Sequence, residues 1–286
     1  MNKPPSLIKW SSSKRAQADA IAALFPANRR GTYYEPFLGG GSVLYLGAQR
    51  FKNARASDLY APLIEIWRTV KESPEAVKRA YTSDWTELQG DFTDYFYKVR
   101  ERFNSDKRGL DLLFLSRTCV NGIIRFNVKG EFNNALHLSR RGMRPTLFGK
   151  VVDDWSRVLG NTTFSVGDYS QILDTVKRND FVYFDPPYVH SHNRYVEDLD
   201  VGRFISFLAE LNGRGVKWAL SFDGTRGGED FSYAVPETIY RRRVMMNTGH
   251  SLVQKVLNGT QETVVESLYL NYELECGGLE RLNFHL

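Results

Sequence analysis

The spacing of apolar positions changes along the chain, and the changes mark out elements. Thr32-Tyr33-Tyr34-Glu35-Pro36-Phe37 is β-prone and is broken by Leu38-Gly39-Gly40-Gly41-Ser42, after which Val43-Leu44-Tyr45-Leu46 takes up helical spacing. Asn53 to Ser57 predicts a second short strand ending at Asp58, and Leu63, Ile64, Trp67 and Val70 form an apolar helical stripe. Thr162 to Val166 predicts a strand running into Gly167-Asp168-Tyr169. Phe181-Val182-Tyr183-Phe184 is almost wholly apolar, as expected of a parallel strand buried on both faces. Leu199 to Leu211 predicts a helix and Val216 to Phe222 another buried strand. Thr238 to Met245 and Val264 to Tyr272 predict an antiparallel hairpin around a polar tip. This alternation predicts an open α/β sheet closed by a hairpin, with the stretch from about Lys78 to Lys150 inserted into it.

Composition narrows the class. At 286 residues and 42% hydrophobic, the chain can bury a core as one large domain or as one domain with a sizeable insertion. Cys119 and Cys276 lie far apart without a CxxC or Cys/His cluster, so neither a disulfide scaffold nor a structural zinc site is expected. No apolar run reaches the roughly 18 residues of a membrane span, and Met1 to Arg15 lacks the apolar centre of a secretory signal. A cytoplasmic protein with no membrane partner is expected. Net charge is 38 − 33 = +5, and its distribution is uneven. From Tyr97 to Lys150 twelve Lys/Arg face four Asp/Glu, a local +8 that leaves −3 for the rest of the chain. A basic insertion suits a polyanion, and eight of those twelve are arginines, whose planar fork binds phosphate or guanine in bidentate fashion.

Four groups of residues could carry chemistry. Phe37-Leu38-Gly39-Gly40-Gly41 followed by Asp58 offers a tight turn with close backbone approach and a carboxylate one strand later, either for a nucleoside cofactor or as a plain strand–helix turn. Asp185-Pro186-Pro187-Tyr188 sits directly at the end of a buried strand. Its carboxylate and a proline-fixed carbonyl could grip an amine whose ring stacks on the tyrosine; the alternative is a rigid capping turn. Trp10 and Lys14, around three serines, could wrap a cofactor or anchor the start of the chain. Arg125-Phe126-Asn127-Val128-Lys129-Gly130-Glu131-Phe132-Asn133 alternates around Lys129-Gly130 as a hairpin. Its Arg and Asn side chains are of the kinds that read guanine and adenine edges, or are ordinary surface groups.

Taken in order, these motifs resemble the Dam-type, α-ordered (D12 class) DNA adenine-N6 methyltransferases. The resemblance runs over nearly the whole chain: Lys9-Trp10 with Lys14, Phe37 to Gly41, Asp58, Arg117-Thr118-Cys119-Val120-Asn121-Gly122, Lys129 to Asn133, Gly167-Asp168-Tyr169 and Asp185 to Tyr188. It implies a Rossmann-like, mostly parallel methyltransferase sheet with an antiparallel C-terminal hairpin. The parts implied are a methyltransferase domain in two portions, 1–77 and 151–286, around a mainly helical target-recognition domain, 78–150. It implies S-adenosylmethionine as cofactor and no metal. Trp10, Lys14, Phe37, Gly39, Gly41, Asp58, Asp168 and Asp185 would line the cofactor site, with Asp185, Pro186 and Tyr188 catalytic. Arg117, Asn121, Arg125, Asn127, Lys129 and Asn133 would contact duplex DNA, with GATC as the target and a restriction endonuclease of the same site as a further partner. The chain departs from the family pattern in carrying serines between Trp10 and Lys14, Val120 before Asn121, and Asn134-Ala135-Leu136 after Asn133. The alternatives are methylation of cytosine N4 or of RNA, or a DNA-binding member of the fold without catalysis.

Overall fold

The computed structural model describes residues 3–10, 13–187, 199–226, 229–230, 235–250 and 263–274. Eight strands form one sheet: β1 (Thr32–Glu35), β2 (Asn53–Asp58), β3 (Thr162–Val166), β4 (Phe181–Phe184), β5 (Lys217–Arg226), the short β6 (Glu229–Asp230), β7 (Arg242–His250) and β8 (Thr263–Leu270). Their order is β3-β2-β1-β4-β5-β8-β7, with β6 paired to β5. The pairs from β3 through β5 are parallel, and β8 and β7 close the edge antiparallel. The expected sheet and hairpin are therefore present. The hairpin tip, 251–262, lies outside the described residues. One strand starts later than its apolar pattern suggests: Pro236 to Ile239 closes a turn, Ile239 N donating to Pro236 O at 3.1 Å, so β7 begins at Arg242.

Strand alternation builds two cores. Tyr33, Phe181, Tyr183 and Ala219 point to one face, where α1 (Ala18–Ala23), α2 (Leu44–Arg50) and α3 (Ala61–Glu72) pack. Tyr34, Val182, Phe184, Trp218 and Leu220 point to the other, covered by α8 (Val201–Gly213) and the 3₁₀ turn Tyr169–Asp174. Two-sided burial explains why β4 could be read as an apolar block with no polar alternation.

The insertion is helical: α4 (Pro74–Gly90), α5 (Phe92–Asp106), α6 (Gly109–Thr118) and α7 (Pro145–Val158). The limits at 78 and 150 fall inside α4 and α7, which continue the first core without a break. Apart from Leu110, α6 is buried along its length, and Gly109 permits its contact with α3: a Cβ there would lie 2.6 Å from the Pro62 carbonyl oxygen. Among the described residues no helix is long and apolar enough to cross a membrane, and no cluster of His, Cys, Asp or Glu could hold a metal.

Candidate active site

The strand order reverses between β1 and β4, and the carboxyl ends of β1, β2 and β4 open into a cleft. Open α/β sheets hold ligands at such a switch point. Gly39 and Gly41 adopt φ of 46° and 66° in the turn leaving β1. The backbone there is pressed by tryptophans. A Cβ on Gly39 would come within 2.9 Å of Trp10 Nε1, and one on Gly41 within 2.9 Å of the Trp67 ring. Ser13 Oγ lies 2.8 Å from Ser42 Oγ, so the one described serine of the Trp10–Lys14 segment ties it to the turn.

Asp58 ends β2 and is fixed from both sides, Oδ2 accepting from Gly39 N at 3.0 Å and Oδ1 from Tyr60 N at 3.1 Å. Burial pushes its carboxyl above the usual range against these backbone bonds. Asp168 caps the 3₁₀ turn after β3: Oδ1 accepts from Ser170 N at 3.0 Å and Arg203 Nη2 at 2.8 Å. Burial raises this carboxyl, but the Ser170 hydrogen bonds and the Arg203 charge outweigh burial and hold it low. Beside it Phe37 stacks on Tyr169 with centroids 5.4 Å apart, giving the cleft an aromatic wall.

Asp185 follows β4 directly. Its Oδ1 is 3.1 Å from the ammonium of Lys14, which is only 3% exposed and also lies 3.2 Å from Glu266 Oε2 on β8. Gln17 Nε2 donates to the same Glu266 oxygen at 3.2 Å. Desolvation pushes Asp185 up to about 6, with the Lys14 charge opposing and the Glu266 charge assisting. Pro186 and Pro187 line the cleft beyond it. Tyr188 lies outside the described residues.

The cleft thus gathers Trp10, Lys14, Phe37, Gly39, Gly41, Asp58, Asp168, Asp185 and Pro186. It also holds residues not anticipated from the motifs: Glu35, Ser13, Arg203, Tyr60 and Phe126. Phe126 comes from the insertion and meets Tyr60 edge-on at 5.4 Å, so the hairpin reaches the mouth of the cleft. Glu35-Pro36 closes β1 as Asp185-Pro186 follows β4, a likeness that only the pairing of those two strands brings out.

The residues expected at DNA divide. Asn121 and Lys129 are exposed. Arg125 is exposed and braced by Asn133, Nε donating to Oδ1 at 2.9 Å and Nη2 to the carbonyl at 3.3 Å. Asn127 is committed to the turn: its Oδ1 accepts from Lys129 N at 2.9 Å and Glu131 N at 3.0 Å, and its Nδ2 donates to Glu131 at 2.8 Å. Arg117 corrects the expectation. It is 9% exposed, and its Nη1 donates to the carbonyls of Ser6 at 2.8 Å and Leu7 at 2.6 Å. A guanidinium so enclosed cannot reach a phosphate; it pins the segment leading to Trp10.

The model of the D12 class N6 adenine-specific DNA methyltransferases matches residues 10–247. The chain belongs to this family. It is 31% identical over 245 residues to the type II methyltransferase M.MjaIII of Methanocaldococcus jannaschii, covering 75% of this chain and 82% of that one. It is also 31% identical over 193 residues to a DNA adenine methylase of Serratia marcescens, covering 66% and 68%. Among solved structures the likeness is loose: the rRNA methyltransferase aviRa of Streptomyces viridochromogenes matches at a TM-score of 0.38 and 14% identity, over 93% of this chain and 85% of that one. As a D12 class methyltransferase, the chain belongs among the N6 adenine-specific DNA enzymes, and the carboxylate that follows β4 lies in the cleft at the switch point.

Proposed function

We propose that the chain methylates N6 of an adenine flipped out of duplex DNA, using S-adenosylmethionine as donor. The carrying observation is Asp185: a carboxylate at the carboxyl end of β4, braced by a buried lysine and followed by two prolines. The donor set of the cleft fits the cofactor. Asp58 has lone pairs left for ribose hydroxyls, Asp168 has a second oxygen left for an exocyclic amine beside the Phe37–Tyr169 wall, and acids flank the path between them. When bound, the cofactor supplies a methyl group activated on a sulfonium.

The chain's own groups do the rest. Asp185 and the Pro186 carbonyl accept the two N6 hydrogens, which turns the nitrogen lone pair out of conjugation and toward the methyl carbon. The same two oxygens stabilise positive charge as the N–C bond forms and the C–S bond breaks. The surplus N6 proton is strongly acidic once that bond exists, so Asp185 is not required as a base before attack. Extruding the base costs a few kcal/mol, and stacking on Tyr188 returns about 1–3 kcal/mol. Arg125, Asn121, Lys129 and Asn133 form the DNA face of an insertion that serves as recognition domain, with GATC as the proposed target.

The test is transfer of labelled methyl from S-adenosylmethionine to unmethylated duplex DNA, followed by nucleoside analysis. Label in N6-methyladenine with wild-type chain, lost in a folded Asp185→Ala variant, is the expected result. Full activity in that variant removes Asp185 from the mechanism.

A further inference from the structure

The parallel strands that open the cleft at their carboxyl ends also share an amino end, and that end carries charge of its own. Arg29 and Arg30 precede β1, Lys52 precedes β2, and Lys177 and Arg178 lie in the loop before β4. Lys217 opens β5 with Arg214 just ahead of it, and Arg241 leads into Arg242, the first residue of β7. Strand register sets these positions side by side. Thr32 pairs with Asn53, Tyr33 with Phe181 and Phe181 with Lys217, while Leu270 of β8 links Ala219 of β5 to Arg242 of β7. All nine of these cations are exposed.

Residues 26–31, 51–52, 175–180, 214–217 and 235–242 hold nine Lys/Arg against two acids, Asp180 and Glu237, a local +7. The chain totals +5 and the segment 97–150 already holds +8, so everything else sums to −10. Asp180 is buried and turned to backbone, accepting from Thr32 N at 2.7 Å and Lys177 N at 2.8 Å. That fixes the loops before β1 and β4 against each other, and Gly31 permits the contact: a Cβ there would lie 2.0 Å from the Asn179 carbonyl oxygen. Two further acids reach in from outside these loops. Glu210 of α8 pairs with Arg214 at 2.6 Å, and Glu273 beyond β8 pairs with Arg242 at 3.1 Å. The other seven cations take part in no ion pair among the described residues. Such a row repels itself, and a polyanion laid along it relieves the repulsion.

From β2 to β7 the row crosses five strand gaps. That is about 24 Å at the usual strand spacing, or roughly seven base-pair steps of a duplex. The large apolar side chains that stand exposed among the described residues, such as Leu59, Val128, Leu138 and Met245, all lie outside these loops. The row therefore offers charge without the apolar anchors of a membrane-binding or protein-docking surface. Among rigid polyanions, DNA is the one this family acts on. We propose that the amino-terminal edge of the sheet is a second, sequence-independent contact for duplex DNA, across the sheet from the cleft, so that one chain holds two stretches of DNA at once. The contacts are to phosphates, which fix position and carry no sequence information. The proposal rests on the family's DNA substrate and not on the cofactor or on the role of Asp185.

The probe is a fluorescent duplex two helical turns long, made of G·C pairs alone so that it offers no adenine. It is titrated against the full chain in sedimentation velocity at about 50 mM salt. The wild-type chain takes up two duplexes. The triple variant Lys52→Gln, Lys177→Gln, Lys217→Gln takes up one, its second step weakened at least about tenfold and its first unchanged. Methyl transfer to a short adenine-containing duplex is the same in both chains, because the cleft is untouched. Failure of that transfer in both chains counts against the proposed function, and the duplex count still decides this proposal. One duplex on the wild-type chain, or two on the triple variant, overturns it. A second site that binds an RNA duplex or phosphatidylglycerol vesicles more tightly than the DNA also overturns it. Should the triple variant not fold, acetylation of the wild-type chain serves: Lys52, Lys177 and Lys217 react when one duplex is bound and are protected when two are. Equal reaction in the two states overturns the proposal.

Discussion

In the proposed mechanism Asp185 acts as a charged carboxylate, and its environment sets where that charge disappears. Burial raises its pKa to about 6, and Lys14 resists the rise. Turnover at saturating substrate should therefore fall as pH drops through about 6, following one proton. Lys14→Met removes the group favouring the ionised form, so the acid limb should move to higher pH, while Lys14→Arg should leave it near its original position. A limb that stays put in Lys14→Met would mean that Asp185 is not the titrating group. The motif Asp185-Pro186 was legible from the chain alone because two prolines after an apolar block are rare. Glu35 was not, because one acid in a strand looks like an edge position until the neighbouring strand is known. The intrachain partners of Arg117 and Asn127 were hidden for a related reason. An arginine or asparagine in a basic segment suggests nucleic acid, and only the fold reveals that Ser6, Leu7 and Glu131 already occupy them.

At the level of elements, the hairpin around Lys129-Gly130 and the start of the chain are joined through α6. Arg117 at its end holds the carbonyls of Ser6 and Leu7, and Trp155 Nε1 of α7 donates to Pro5 O at 2.9 Å. Arg117→Ala should lower unfolding free energy by about 2–4 kcal/mol in urea melts, through orphaned carbonyls and a cavity. The salt dependence of DNA binding should be unchanged in that variant. Lys129→Ala should do the reverse, reducing the salt slope by about 1 with little change in stability. A shallower slope in Arg117→Ala would return that residue to the DNA surface. Arg125→Ala should relax discrimination at one base pair by about 1–3 kcal/mol, read from competition between single-substitution duplexes. Equal preference before and after would exclude it from readout. The parallel strands were easy to place, since burial on both faces leaves an apolar block. Positions 78 and 150 fall inside α4 and α7, whose buried residues join the first core, and no residue pattern announces that packing.

The whole molecule combines a switch-point cleft on a parallel sheet with a basic helical insertion whose Phe126 reaches the cleft mouth. In the proposed reading, cofactor and target base would share one wall of this cleft. Fold class and family could be read from residue order; the ionic bracing by Glu266 and the burial of Glu35 against the Tyr33 hydroxyl depend on how the strands pack. The most direct test of the account is to express the chain in a host free of DNA methylation and sequence the modified genome. N6-methyladenine at a single short motif, proposed as GATC and absent when Asp185→Ala replaces the wild-type chain, is the predicted result. An unmodified genome, methylation at cytosine N4, or N6-methyladenine persisting in the variant would contradict it.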